Sequence, residues 1–521
     1  MRLYGSPNPL IHLIHLNIMK SYTRENRPWL IWLTIVAVLL AGVGIFFYYN
    51  LFRQSKSELI EAIPTDAAFI FTLNDNEAFV KGTAGLTPYI DEMFAMDALP
   101  AYETMRSKLP AGDYDLTVSG HGSNGGVSVL FNTHADKAAF KRLLRALSID
   151  PNNYTTFERN RIYTYGTNFK SVKFAYVNHI ISFSTDVELL KRAIVQRMHP
   201  KNLLSDKQFK EMYNLSEKNR KQNWLIVKPD RYTPFLSSFL SDNLSEKLAR
   251  CLKGTGWTAF QMRFSGKDIH LSGYAQQTDA ANAAFLSLLG KQTDGNDADI
   301  ERLFPCNADW YIQSNSPQMW VRMFESTPQI SEKETSVMMT SLSPKASGCF
   351  SMHADSINYT LCVMLPDSNC EDFLSALYCN DTRKADSIRN AHKNGIYPIP
   401  HAMAPMVPKL AADSMRWVTV WNDALVFAPS MEAASLFINN VKKSGLMAKN
   451  RYYPFVDDAV ASSSLFNLVI FHDEASTYWT SNLSEKGKAS RTGQELRILS
   501  LSCETMENGK NFVPLNLFMH F

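Results

Sequence analysis

The chain carries little excess charge of either sign: 53 Lys and Arg against 50 Asp and Glu leave a formal net charge of +3 over 521 residues. A nucleic-acid binder concentrates basic residues on one surface, so this balance argues against that class. Glycine and proline, 23 each, are too few for a collagen-like or Pro-rich low-complexity chain. Signatures of chemistry are missing as well. No C-x-x-C occurs among the seven cysteines, so zinc-ribbon and thioredoxin readings lack their core motif. There is no H-E-x-x-H, Walker A, G-x-S-x-G or EF-hand loop. The 12 histidines are scattered, and His12 and His15 do not read as a metal pair. At 45% hydrophobic and 20% charged, the composition is that of a globular protein. A mean hydropathy of −0.19 excludes a polytopic membrane protein. The length corresponds to about three domains at roughly 100–200 residues each.

One long apolar run is present. Residues 29–49 are 21 consecutive uncharged, mostly apolar residues, enough for a helix to cross a hydrocarbon core of about 30 Å. Trp29 and Trp32 stand at one end and Phe46, Phe47, Tyr48 and Tyr49 at the other, as interfacial aromatic belts. A cleaved signal peptide has a shorter apolar region followed by a small-residue site. Leu40-Ala41-Gly42 is followed by Val43, not by the Cys that lipidation needs. The run therefore reads as an uncleaved transmembrane anchor. Lys20, Arg24 and Arg27 precede it and Arg53 and Lys56 follow, a modest bias that, with the shortness of the basic tail, places residues 1–28 in the cytoplasm and the rest of the chain in the periplasm. The expected location is a bacterial inner membrane, spanned once. Met19-Lys20 offers a second start, with residues 1–18 as a mis-called beginning.

An internal repeat dominates the remainder. Leu59-Ile60-Glu61-Ala62-Ile63-Pro64-Thr65-Asp66-Ala67-Ala68-Phe69 parallels Ile300-Glu301-Arg302-Leu303-Phe304-Pro305-Cys306-Asn307-Ala308-Asp309-Trp310, 241 residues on. Asn74 with Glu77, and Asn315 with Gln318, fit helix-capping boxes, as does Thr185 with Glu188. Ile162-Tyr163 matches Ile396-Tyr397. Val177-Asn178-His179-Ile180 matches Trp421-Asn422-Asp423-Ala424, each with the Asn turn of a hairpin. Asn223-Trp224-Leu225-Ile226-Val227 matches Asn467-Leu468-Val469-Ile470-Phe471, and Asn243-Leu244-Ser245-Glu246-Lys247 recurs identically at Asn482-Leu483-Ser484-Glu485-Lys486. Two tandem homologous repeats are thus expected at 57–280 and 298–521, with a polar linker at 292–299.

Within the first repeat, strands are expected at 67–73, 112–119, 126–132, 156–165, 172–178, 180–185 and 223–228, with a hairpin at 257–276. Helices are expected at 75–82, 87–108, 136–147, 186–198, 205–214 and 232–252. Hairpins dominate and no βαβ alternation is evident. The fold class is therefore α+β: mainly antiparallel sheet with helices on one face.

Few residues offer chemistry. Gly120-His121-Gly122-Ser123-Asn124-Gly125 matches G-x-G-x-x-G, but a strand follows where a dinucleotide site needs a helix, so it reads as a hairpin turn. Ser123 beside His121 is the nearest thing to a nucleophile–base pair. Lys218, Arg220 and Lys221 read as a solvated helix end, with phosphate or anionic-lipid contact as the alternative. Cys349 and Cys362 fall on two expected strands around Asp355-Ser356, where they can face each other and oxidise in an exported domain; small buried apolar residues are the other reading. No catalytic, cofactor-binding or metal-binding residue is assigned, and no cofactor.

The anchor and the opening Ile63-Pro64-Thr65-Asp66-Ala67-Ala68-Phe69 resemble a family of uncharacterised single-pass, membrane-anchored envelope proteins of Bacteroidetes-type bacteria. That resemblance implies an envelope location and brings no activity or catalytic residue with it. Asp355-Ser356-Ile357, Asp386-Ser387-Ile388 and Asp413-Ser414-Met415 resemble the O-glycan acceptor signal of that phylum, turn and cap chemistry being the competing reading. The expected function is a non-enzymatic binding or scaffold module with an envelope protein partner. The alternatives are a hydrolase with its site between the repeats, or an export and assembly chaperone.

Overall fold

A computed structural model describes residues 59–74, 82–83, 85–94, 115–123, 126–166, 171–199, 201–217, 222–278, 303–314, 344–354, 357–366, 370, 395–398, 415–459, 464–472, 478–504 and 512–521. By its contacts the chain divides into Met1–Leu59 and Ile60–Phe521. The expected anchor at 29–49 lies outside the described residues. Among these, no helix is long and apolar enough to cross a membrane.

The strands are β1 (Phe69–Leu73), β2 (Leu116–Ser123), β3 (Gly126–His134), β4 (Thr155–Phe157), β5 (Asn160–Tyr165), β6 (Val172–Val177), β7 (Ile180–Ser184), β8 (Trp224–Val227), β9 (Thr255–Ser265) and β10 (Asp268–Gln277). They continue with β11 (Trp310–Ser314), β12 (Pro344–Ala354), β13 (Ile357–Pro366), β14 (Ile396–Pro398), β15 (Trp417–Trp421), β16 (Ala424–Ala428), β17 (Phe466–Phe471), β18 (Ile498–Cys503) and β19 (Phe512–His520). The helices used below are α1 (Thr87–Phe94), α2 (Lys137–Ala146), α3 (Val187–Met198), α4 (Lys207–Glu217), α5 (Pro229–Leu236), α6 (Asp242–Leu252), α7 (Met431–Ser444), α8 (Tyr453–Ala459), α9 (Tyr478–Ser481), α10 (Glu485–Ala489) and α11 (Arg491–Glu495).

All strand pairs are antiparallel. Along the ladder the order is β4-β5-β6-β7-β3-β2-β1-β8-β9-β10-β19-β18-β17-β11-β12-β13-β16-β15-β14. Outward from the β10–β19 pair the two arms follow matching orders, except that β4, at the end of the first, has no counterpart among the described residues. Two of the hairpins turn on asparagine. Asn178 and His179 (φ 47° and 68°) join β6 to β7, and Asn422 and Asp423 (φ 46° and 60°) join β15 to β16. A two-residue turn with both φ positive follows the twist of the flanking strands, and asparagine tolerates that conformation.

The α+β class with antiparallel sheet holds, but helices cover both faces. Phe131 packs in a core with Phe140 and Leu143 of α2 and Tyr89 and Ile90 of α1. Leu130, the next residue along β3, packs on the other face with Leu189, Leu190 and Ala193 of α3. Ile70 likewise joins Phe209 and Met212 of α4 while its neighbours Phe69 and Phe71 face α1. The cause is visible in β1, Phe-Ile-Phe-Thr-Leu, where every residue is buried. A run without apolar–polar alternation is the mark of a strand covered on both sides.

The core does not stop at the expected repeat boundary. Trp479, Leu483, Leu496, Met519 and Phe521 belong to the same cluster as Phe69 and Phe131. Glu92 of α1 accepts hydrogen bonds from the N–H groups of Arg491 and Thr492 at 2.8 and 2.6 Å.

Four local expectations change. The strand at 156–165 is a hairpin, β4–β5, turning on Glu158 and Arg159 (φ 47° and 62°). The helix at 232–252 is two helices, α5 and α6, because the chain between them leaves to bridge Leu240 to Leu483. The cap of α3 is Asp186 rather than Thr185; its carboxylate accepts from the N–H groups of Glu188 and Leu189. The identical pentapeptides sit in different surroundings. Asn243 to Lys247 lie within α6, whereas Ser484 caps α10. Ser241 takes the place like that of Ser484: its Oγ accepts from Leu244 N–H at 3.5 Å, as Ser484 Oγ does from Gly487 N–H at 3.1 Å. The expected helix at 75–82 lies outside the described residues except at 82.

Candidate functional site: a buried serine–histidine–aspartate cluster

Alternation along β2 puts Ser119 and His121 on one face of the sheet and Gly120 on the other. Ser119 lies in register opposite Ile70 on one side and Leu130 on the other. The tight turn at Pro64, closed by Ala67 N–H donating to Pro64 O at 3.2 Å, precedes β1 and carries Asp66. His121 Nε2 is 3.0 Å from Ser119 Oγ, and Nδ1 is 3.0 Å from Asp66 Oδ1. The other carboxylate oxygen receives Arg192 Nη1 of α3 at 2.5 Å. Arg231 Nη1 of α5 donates to the carbonyls of Thr65 and Ala67 at 2.5 and 3.2 Å.

The cluster is a graded path from water to core. Asp66 and Arg192 keep nearly half of their side-chain surface, while Ser119 and His121 have none. Burial raises the Asp66 carboxyl, but the hydrogen bonds and charges of His121 and Arg192 outweigh it and hold the group well below its ordinary range. Burial lowers the His121 imidazole, against the pull of Asp66. The ionised carboxylate can only accept, so Nδ1 carries the proton and Nε2 accepts the Ser119 hydroxyl.

These are the residue types and contacts of a nucleophilic triad. The placement serves a different end. A triad serine must meet a substrate carbonyl beside preorganised N–H donors, and Ser119 presents no surface at all. What the network does is satisfy two buried polar side chains and pin the Pro64 turn to β2 and α3.

The second half has its own His–Asp pair in another position. His353 Nδ1 lies 3.3 Å from Asp309 Oδ1, with Asp309 directly before β11. A third joins the arms: His520 Nδ1 is 2.6 Å from Asp268 Oδ1 across β10 and β19. Among the described residues no group of three or more His, Cys, Asp or Glu is arranged to hold a metal ion.

The glycine-rich segment is a hairpin, with Gly120 to Ser123 inside β2 and Ser123 in register with Gly126. Both nitrogens of His121 are engaged by Ser119 and Asp66, so Ser123 is not its partner. Alternation could have linked Ser119 to His121 in the sequence. Nothing local pointed to Asp66, 55 residues away. His12, His15, Lys218, Arg220, Lys221, Ser356, Ser387 and Ser414 lie outside the described residues.

The cluster makes stability sensitive to acid. An unfolded histidine binds a proton near its ordinary value of 6.5, whereas folded His121 is held below it. As pH falls through 6.5 the unfolded chain takes up a proton that the folded chain refuses, and stability drops. Asp66 adds to this below its ordinary value of 3.8. One proton limits the slope to about 1.4 kcal/mol per pH unit. His121→Gln, which can still bond to both neighbours, is expected to flatten the urea-midpoint profile between about pH 7.5 and 5.5 relative to the parent chain (about one pH unit either side of the histidine's ordinary value of 6.5). An unchanged slope would mean that His121 takes up its proton in the fold.

No family model matches the chain, and no curated protein matches it. Among solved structures it is similar to crystal form IV of TP0453 at TM-score 0.25 and 12% identity, over 42% of this chain and 79% of that one. Crystal form III of the same protein matches at TM-score 0.26 and 11% identity, over 44% and 84%.

Proposed function

We propose that the chain is a single-pass, membrane-anchored envelope protein whose residues beyond the anchor lie outside the cytoplasm and act as a non-enzymatic binding or scaffold module. The observation that carries the location is the uninterrupted apolar run at 29–49 with aromatic residues at both ends and Lys20, Arg24 and Arg27 before it.

The module is read as two copies of one α+β unit. Support comes from the ladder: β1 lies between β2 and β8 as β11 lies between β12 and β17, with Phe69 opposite Gly120 and Trp310 opposite Ser351. Ile162 pairs with Ala175 as Ile396 pairs with Thr419. Joining two copies through β10 and β19 leaves neither unit a free edge at that seam, where an exposed ladder would invite aggregation. The polar cluster of Ser119, His121 and Asp66 favours a structural over a hydrolytic role, because its serine is enclosed.

The test is in-cell crosslinking of the full-length chain followed by mass spectrometry, with an anchor-only chain as control. One dominant envelope partner that requires the exported residues is the expected result. Capture of many unrelated exported clients would replace the scaffold with a chaperone. Turnover of a substrate by the purified chain, lost on a single substitution that leaves the fold intact, would overturn the non-enzymatic reading.

A further inference from the structure

We propose that Cys349 and Cys362 close a disulfide between β12 and β13 when the chain folds in the presence of a disulfide oxidant. The two residues are directly opposite in the ladder. Only two residues separate Ala354 from Ile357, the pair that flanks the hairpin turn. In such a hairpin the flanking pair is hydrogen-bonded, and hydrogen-bonded and non-hydrogen-bonded pairs then alternate. Every step from Ala354–Ile357 to Cys349–Cys362 is in regular register, and the one irregularity lies beyond, at Pro344 to Ala346. Five steps along, the cysteines fall on a non-hydrogen-bonded pair. Cα atoms there stand about 4.5 Å apart, inside the disulfide range of about 4.4–6.8 Å.

Their surroundings favour a link. Both are buried free thiols in this structure. Ile312 lies opposite Cys349 across β11 and Phe427 opposite Cys362 across β16. Two residues before Gly120, the first arm has Val118 opposite Phe131, both in the core. Two residues before Ser351, the second arm has this cysteine pair. A cross-link is a means of holding two strands where the side chains are too small to do so by packing. Cys306 donates to Ser444 O and Cys370 to Asp423 O, while Cys503 faces Phe466 and Leu515.

The chemistry is thiol–disulfide exchange. One cysteine loses its proton and its thiolate attacks a sulfur of an external disulfide, forming a mixed disulfide and expelling one thiolate. The second cysteine then loses its proton and attacks the protein sulfur, expelling the second thiolate. Two S–H bonds are lost, one S–S bond forms, and the external disulfide is reduced to two thiols that take the two protons. Exchange belongs to folding, before the hairpin is covered, because burial raises both thiols and so starves them of thiolate. The same burial shields the finished bond.

Whether an oxidant is met in the cell rests on the extracytoplasmic reading, so two arms keep the questions apart. In the first, the full-length chain is unfolded, reduced, and refolded in detergent with reduced and oxidised glutathione, and its peptides are mapped after alkylation. The expected result is a Cys349–Cys362 peptide pair in most chains. Dithiothreitol should reduce it at least about tenfold more slowly in the folded chain than in denaturant, and Cys349→Ser should lack it. Free thiols at both positions, or pairing of either with another cysteine, would overturn the proposal whether or not the serine variant folds. In the second arm, cells are quenched in acid and alkylated. A bond that forms on refolding but is absent in cells leaves the pairing standing and counts against the envelope location instead.

Discussion

Gly273→Val is expected to lower the stability of the chain by more than about 3 kcal/mol, beyond the usual 1–3 kcal/mol of an overpacked site. Gly273 lies in β10, opposite Phe260 of β9 and Leu515 of β19. A Cβ there would stand 1.8 Å from Ala259 O and 2.8 Å from both Ala259 C and Phe260 Cα. All three are backbone atoms, so no side chain can swing away. Relief requires prising β9 off β10, and β10 is also the strand that pairs with β19 from Asp268–His520 to Gln276–Phe512. The change therefore strikes the junction of the two arms. The comparison is Ser272→Val, one residue earlier and exposed, which is expected to stay within about 0.5 kcal/mol. Urea unfolding followed by tryptophan fluorescence measures both. Equal midpoints for the two variants would refute the close approach of β9 and β10.

Much of this architecture is legible in the residues, for identifiable reasons. Asn178 and Asn422 announce their hairpins because a two-residue turn demands positive φ and few side chains accept it. The helices expected at 136–147 and 186–198 appear as α2 and α3, the second with Asp186 in place of Thr185 as its cap. The turn at Glu158-Arg159 has the same conformation without that chemistry, so a hairpin passes for one strand. The break between α5 and α6 is a tertiary effect: Ser241 N–H donates to Asn482 O and Ser484 N–H to Phe239 O, contacts more than two hundred residues apart. Asn223 and Asn467 match in the expected repeat, whereas in the ladder it is Trp224 that pairs with Thr72 and Asn467 that pairs with Gln313. A slip of one reverses the face of every side chain, and only the ladder records it. The polar cluster was half legible. Alternation joins Ser119 to His121, but Asp66 and Arg192 arrive from a turn and a helix whose meeting no local pattern encodes.

Phe69→Ala is expected to destabilise the chain by about 3–5 kcal/mol, and to reverse the sign of a second substitution. The Phe69 ring has no exposed surface. It meets Phe71, Phe94 and Tyr232 edge-on, with centroids 5.6, 5.0 and 5.8 Å away. On its fourth side is Gly120, where a Cβ would lie 2.1 Å from Cε1 and 2.2 Å from Cζ of the ring. The ring has nowhere to go, so Gly120→Ala alone is expected to cost about 1–3 kcal/mol. In the Phe69→Ala chain the obstructing atoms are gone. Alanine then gains over glycine in a strand by roughly 0.5–1 kcal/mol, because less backbone freedom is lost on folding. The double-mutant cycle should therefore return a coupling of at least about 1.5 kcal/mol, well outside the few tenths expected of independent sites. Simple additivity would mean that the glycine answers to something other than the ring. The same cycle also tests whether the polar cluster stands apart from this packing. Gly120 lies between Ser119 and His121 but projects to the opposite face, so the acid dependence attributed to His121 should survive Gly120→Ala wherever the chain still folds. Loss of that dependence would tie the glycine to the polar network rather than to Phe69.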